Sequence, residues 1–175
     1  VKLSKIFQRE LSIDEEFPHL QSLNLKDIQT ENLDDFKNLD CVFLALPHGS
    51  AHEYVKELIS KVKIIDLSSD FRISIQEDYN KYYKSNFDVN TQSQFQYGFI
   101  ENSCDEIKKS SNISNPGCFA LTTQLSLLPF HSIIKNVSVT AITGSSGGGK
   151  NPTNKNHHST RSKDIFSYNI NSHRH

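Results

Sequence analysis

The stretch Ser114-Asn115-Pro116-Gly117-Cys118-Phe119-Ala120-Leu121 holds the residue types best suited to covalent chemistry. Asn115-Pro116-Gly117 is turn chemistry: proline fixes one backbone angle, glycine permits positive ones and asparagine tolerates either. Directly after it, Leu121, Leu125 and Leu128 recur at helical spacing until Pro129 stops the pattern. A thiol between a tight turn and the first turn of a helix faces unpaired backbone N–H groups and the positive end of the helix dipole. Both favour the thiolate, which is the nucleophilic form. The plainer alternative for Cys118 is a small apolar core residue, as free cysteines often are. The turn before it favours the nucleophile.

Other clusters could serve such a centre. Gly144-Ser145-Ser146-Gly147-Gly148-Gly149-Lys150 follows an apolar run and offers N–H groups unobstructed by side chains. Such a loop cradles phosphate or lets a flat ring approach the backbone. Its spacing is neither that of a P-loop nor that of a dinucleotide fingerprint, and a flexible linker explains it equally well. His173 and His175, two apart on an expected strand, share a face. One of them could be the acid–base partner of Cys118. A metal pair drawing in His157, His158 or Cys118 ranks lower, because zinc sites use tighter local spacings; surface histidines are the bland alternative. Arg72 has the planar fork that clamps an anion, although an ion pair with Asp70 or Asp66 accounts for it more simply. His48 reads as a loop residue and His52 as an exposed helix position. Cys41 reads as packing and Cys104 as an inert loop thiol.

Elements must hold these groups. Cys41-Val42-Phe43-Leu44-Ala45-Leu46 is a continuous apolar run stopped by Pro47 and Gly49, the pattern of a strand buried on both faces. Ser50 and Glu53 make a capping box, and Ala51, Tyr54, Val55, Leu58 and Ile59 trace one helix face. Residues 62–67 form a second apolar strand. Such strand–helix–strand units build parallel sheets that bind ligands at the carboxyl ends of their strands. Here those ends carry Pro47-His48-Gly49 and Ser68-Ser69-Asp70-Phe71-Arg72. Residues 75–112 read as a short helix bearing Tyr79, Tyr82 and Tyr83 within irregular polar sequence, with a brief strand near 94–99. A strand is expected over 137–143. Phe166, Tyr168 and Ile170 alternate with polar residues as in a half-buried strand. Residues 1–40 offer a short strand and a helical turn near Leu33-Asp34-Asp35-Phe36.

With 175 residues the chain is long enough for one domain or parts of two. It contains no Met and starts at Val1, which suggests part of a longer protein. The net charge of −1 and the lack of long same-sign runs argue against nucleic acid or an anionic membrane as partner. No apolar stretch approaches the roughly 20 residues of a membrane-spanning helix. Three cysteines make no regular disulfide framework, so reduced thiols in a cytoplasmic-type compartment are expected.

Taken together, the chain resembles the N-acetyl-gamma-glutamyl-phosphate reductase family, NADPH-dependent enzymes of arginine biosynthesis. The resemblance runs in order through Phe17-Pro18-His19-Leu20, residues 42–49, residues 66–72, Tyr97-Gly98 to Glu101, the Ser-Asn-Pro-Gly-Cys box at 114–118, the glycine loop at 144–149, and His173-Arg174-His175. Phe119-Ala120, where many members have Tyr-Pro, is similar to a subgroup that prefers an N-succinyl substrate. The family's opening strand and Gly-x-x-Gly-x-x-Gly turn do not occur in this chain. Neither does the Thr-Pro-Glu that follows the His-Arg-His motif, and both absences suggest truncation.

The resemblance implies an α/β fold: a partial doubly wound, Rossmann-like parallel sheet over residues 1–117, then the start of an α+β catalytic domain over 118–175. It implies Cys118 as nucleophile and His173 or His175 as acid–base group. Pro47, His48, Gly49, Ser146, Gly147, Gly148 and Gly149 would contact NADPH. Asn115 and, less firmly, Arg72 would contact an acyl-phosphate substrate. No metal is implied, and the full-length protein would be a cytoplasmic homo-oligomer. Rival readings are an aspartate-semialdehyde dehydrogenase, a lysine-pathway relative acting on carrier-bound aminoadipyl phosphate, a non-catalytic module with a structural metal, and an inactive fragment.

Overall fold

The computed structural model describes residues 3, 5–7, 13–23, 27–28, 36, 38–83, 87–148, 151, 153–154 and 156–169. The chain forms two compact units, residues 1–115 and 116–175.

The first unit is built on a parallel sheet. Strands β3 (Cys41–Leu44), β4 (Lys63–Asp66), β5 (Phe95–Tyr97) and β6 (Asn112–Ser114) lie in the order β3-β4-β6-β5. Every neighbouring pair is parallel, with Leu44 opposite Asp66, Asp66 opposite Ser114, and Tyr97 opposite Ser114. The α/β expectation is met. Two short strands, β1 (Ile6–Phe7) and β2 (Asp27–Ile28), pair parallel in a small separate sheet, and Phe7 stacks on Phe36 at 4.3 Å. The expected helical turn at Leu33-Asp34-Asp35-Phe36 lies outside the described residues except for Phe36.

A short helix, α1 (Ile13–Glu16), precedes the four-stranded sheet, and helix α2 (Ala51–Leu58) crosses from β3 to β4. Its Ala51, Val55 and Leu58 meet Val42, Leu44, Ile64, Phe36 and Phe71 in the core. Burial of that stripe, rather than intrinsic propensity, holds a helix of this length. One expectation needs correction. β3 is not buried on both faces, because Phe43, pointing away from α2, stays 61% exposed. A continuous apolar run does not say which of a sheet's two faces is covered.

The chain reaches β5 through α3 (Gln76–Tyr82) and α4 (Val89–Gln92), and β6 through α5 (Ile100–Lys109). The sequence pattern does not show α4, α5 or β6. A four-residue helix and a three-residue strand are too short to show a period, and α5 has no buried residue. Asp88 caps α4, accepting from the Asn90 N–H at 3.2 Å and the Thr91 hydroxyl at 2.6 Å.

The second unit opens with α6 (Cys118–Leu127), as the leucine spacing predicts. A 3-10 turn over Leu128–Phe130, with Pro129 inside it, ends the helix. Nothing in α6 is fully buried. Residues 137–143 and the described part of the 166–171 segment, residues 166–169, both expected as strands, run irregularly. Alternation predicts which side a residue faces but supplies no partner, and among the described residues no strand pairs with either segment. Phe166 instead lies under the Arg161 guanidinium, 3.7 Å from its ring centre. The end of the second segment, from Ile170, is outside the described residues.

Candidate functional site

Three strand ends of the first unit lie side by side. The Asn115 N–H donates to the Asp66 carbonyl at 2.8 Å and the Gly98 N–H to the Ser114 carbonyl at 2.9 Å, extending the ladder past Ser114. Parallel β4 and β6 therefore deliver the 68–72 loop and Asn115 to one edge, as the topology of such sheets requires. Arg72 straps these exits together. Its Nε donates to the Asn115 carbonyl at 2.7 Å and its Nη2 to the Leu67 carbonyl at 2.8 Å. Backbone carbonyls, rather than Asp66 or Asp70, take those hydrogen bonds.

The turn at Pro47, His48 and Gly49 leaves β3 at the same edge. All three residues are exposed, and Gly49 adopts φ 87°, where a side chain is disfavoured. The capping box predicted for α2 does not form, because the Ser50 side chain makes no cap hydrogen bond. The buried carboxylate of Asp70 takes that place. It accepts the Gly49 N–H at 2.7 and 2.9 Å and the Ala51 N–H at 3.1 Å. Ser50 has helical backbone angles, φ −92° and ψ −17°, whereas a side-chain cap needs the extended region. No local pattern announces a cap arriving from another strand end.

Beside this contact, the Ser69 N–H donates to His48 Nδ1 at 3.1 Å, with the Ser69 hydroxyl 2.8 Å from the same nitrogen. A nitrogen that accepts an N–H carries no proton itself, which leaves the proton of neutral His48 on Nε2. Asp66 is fully buried and bonded to the Ser68 N–H and hydroxyl. Burial pushes its carboxyl above the ordinary range, against the opposing effect of those bonds. His52 is not the exposed helix residue the sequence suggests. It is half-buried, 3.3 Å from the Tyr79 hydroxyl and with its ring 4.8 Å from that of Phe71. Burial lowers its pKa.

In the second unit Cys118 is exposed at the first position of α6, so the core reading of this thiol does not hold. Gly117 precedes it at φ −73° and ψ 152°, ordinary extended angles, so the positive φ that glycine allows is not used here. The Leu121 N–H donates to the Gly117 carbonyl at 2.8 Å and opens the helix. Cys118 lines a groove of about 440 Å³ with Phe119, Thr122, Thr123, Ser126 and the 137–143 segment. The groove sets one sulfur among hydroxyl groups and apolar walls. Cys41 is half-buried in β3, as the sequence suggests, whereas Cys104, expected in a loop, is exposed on helix α5.

Ser146, Gly147 and Gly148 form an exposed 3-10 turn over Ser145–Gly148. A Cβ on Gly147 would stand 3.3 Å from Thr143 Oγ1, and one on Gly148 3.3 Å from Asn156. Both glycines are thus packed closely on one side and open on the other, which suits a flat ring approaching the backbone. The 47–49 turn is exposed as well. Gly149, His173 and His175 lie outside the described residues. Among the described residues no three His, Cys, Asp or Glu side chains gather as a metal site, and no helix is long and apolar enough to cross a membrane.

Comparison with known proteins fits this arrangement. Residues 1–110 match the family model described as semialdehyde dehydrogenase, NAD binding domain, and residues 118–175 match semialdehyde dehydrogenase, dimerisation domain. The chain is 38% identical over 164 residues to the N-acetyl-gamma-glutamyl-phosphate reductase of Wolinella succinogenes, covering 90% of this chain and 48% of that protein. Against the reductase of the same name from Campylobacter curvus it is 37% identical, covering 95% of this chain and 51% of that protein. It is also 38% identical to a Pyrococcus horikoshii protein named for LysW-L-2-aminoadipate/LysW-L-glutamate phosphate reduction, covering 90% and 46% respectively. The chain thus spans about half the length of the curated relatives it matches. A parallel sheet with polar turns at its carboxyl edge, and a family match over residues 1–110, place the chain in the semialdehyde dehydrogenase family.

Proposed function

We propose that the protein containing this chain reduces N-acetyl-gamma-glutamyl phosphate to the semialdehyde through a thioester on Cys118, with NADPH as reductant. The observation that carries this reading is an exposed thiol at the start of α6, in a groove lined by hydroxyls. The names and identities of the relatives support the substrate class. Pro47, His48, Gly49, Ser146, Gly147 and Gly148, with Gly149, would hold the cofactor, which when bound supplies the hydride.

The chain's own residues do the rest. The Cys118 sulfur attacks the acyl carbon, the acyl carbon–oxygen bond breaks, and phosphate leaves with the electron pair. Backbone N–H groups at the start of α6, that of Cys118 included, stabilise the oxyanion, an effect worth about 3 kcal/mol per donor in other enzymes. One of His173 and His175 gives a proton to that oxygen when hydride reaches the carbon. It takes the proton back as the carbon–sulfur bond breaks and the aldehyde departs. Splitting one difficult step into two is what a covalent intermediate offers. Asn115 would neighbour the reacting carbon. Arg72 would act beside it, either on the substrate or by holding the two strand exits. The 118–175 match supports a second copy of the chain as partner, and the three cysteines, none of them disulfide-bonded, support a reducing, cytoplasm-type compartment.

The test is Cys118→Ser in the complete protein. Reductase turnover should fall at least about 10³-fold, with the unfolding midpoint unchanged; turnover near the parental rate overturns the assignment. The similarity to the Pyrococcus horikoshii protein favours one second reading, an aminoadipyl or glutamyl phosphate held on a carrier protein. A panel of N-acetyl, N-succinyl and carrier-bound acyl phosphates separates the two by kcat/KM.

A further inference from the structure

We propose that Asp70 is the positioning residue of the 47–49 turn: its carboxylate fixes that turn and closes the start of α2 to phosphate, so that the turn meets an uncharged part of the cofactor. This rests on the reading above that the turn lies against the cofactor.

Asp70 is fully buried, and both of its oxygens are used. They accept N–H groups from Gly49 and Ala51, which lie 21 and 19 positions earlier in the chain, so the contact ties the exit of β3 to the exit of β4. Asp70 is itself held from two sides. Its N–H donates to the Ser68 hydroxyl at 3.0 Å, and its carbonyl accepts from Gln92 Nε2 at 2.6 Å, Gln92 being 3% exposed. The Ser69–His48 contact makes a second staple between the same two loops. A Gly49 at positive φ has no side-chain packing to hold it, so these staples set where its backbone lies.

The electrostatics decide what the turn can bind. A helix start carries about +0.5 of a charge and commonly recruits a phosphate. Here a full carboxylate already accepts the first N–H of α2, that of Ala51, together with that of Gly49 just before the helix, and a second anion would meet net negative charge. The pyrophosphate of a dinucleotide therefore binds elsewhere. What reaches the 47–49 turn is neutral.

Asp70→Asn replaces one accepting oxygen with an amide that faces an N–H group. Hydrogen–deuterium exchange of the complete protein, read on the peptide over residues 46–52, should speed up about tenfold, while exchange over 62–66 stays slow. The dissociation constant for NADPH should rise about tenfold, with the KM for the acyl phosphate unchanged. Added inorganic phosphate should slow exchange over 46–52 in Asp70→Asn and leave the parent unaffected. Glu53→Gln, an exposed change on the same helix turn, should alter none of these. Unchanged exchange overturns the proposal, as does faster exchange with an unchanged NADPH constant, or phosphate protection in the parent. If the parent fails to bind NADPH, the reductase reading falls, and the exchange and phosphate arms still decide whether Asp70 holds the turn. If Asp70→Asn does not fold, Gln92→Leu, which releases the Asp70 carbonyl but keeps the carboxylate, is read by the exchange and NADPH arms, and added phosphate should leave its exchange unaffected.

Discussion

Gly49 shows how one residue's geometry limits the site. At φ 87° an L side chain crowds the backbone, at a cost of roughly 1–2 kcal/mol. Gly49→Ala should lower the free energy of unfolding by about that amount in urea titrations, and Gly49→Asn by less, because asparagine tolerates the left-handed region. Equal losses for Ala and Asn would mean that the space around Gly49, and not its backbone angle, is limiting. Cys118 needs no such backbone strain. It stands at an ordinary helix start, with extended Gly117 before it, and its placement follows from the turn and the leucine spacing that the sequence displays. Arg72 marks the opposite case. Its type announces anion binding, while its guanidinium takes two backbone carbonyls, and nothing in the local pattern distinguishes these roles.

At the scale of elements, α2 is the piece that most of the core depends on. Leu58 is 2% exposed and meets the buried face of the sheet. Leu58→Ala should therefore cost about 2–5 kcal/mol, whereas Lys56→Ala, exposed on the same helix, should leave the urea midpoint within error. Similar losses for the two would place the core on the wrong face of α2. This helix was legible because burial imposes a period on its eight residues, and the flanking strands because they lie in apolar runs. β6 and α4 were not, since three and four residues span barely more than one repeat of the pattern that would reveal them. Residues 137–143 failed for a different reason: alternation was present, but a strand exists only with a partner, and partners are fixed by tertiary structure. The Asp70 cap was hidden likewise, since Ser50 and Glu53 offered a local cap that the backbone angles of Ser50 do not use.

For the molecule as a whole, half-buried His52 and buried Asp66 set opposite slopes in stability against pH. His52 is held below its ordinary 6.5 chiefly by burial, with Lys56 acting in the same sense and Asp70 and Asp88 against it. Between 6.5 and that lower value the unfolded chain binds the proton and the folded chain does not, so stability falls as pH drops through this window. Asp66 is pushed above its ordinary 3.8, again chiefly by burial and further by Asp70, with the Ser68 bonds and Arg72 opposing. Between 3.8 and that raised value the folded chain holds the extra proton. Its contribution is therefore present at low pH and is lost as pH rises through the raised value. Unfolding midpoints measured across the range should show His52→Gln removing the decline below pH 6.5 relative to the parent. Asp66→Asn should gain on the parent at neutral pH and lose that advantage as pH falls towards 3.8. Parallel profiles for His52→Gln and the parent below pH 6.5 would mean that His52 protonates in the folded state as readily as in the unfolded one, and that its contacts with Tyr79 and Phe71 exclude too little water to matter.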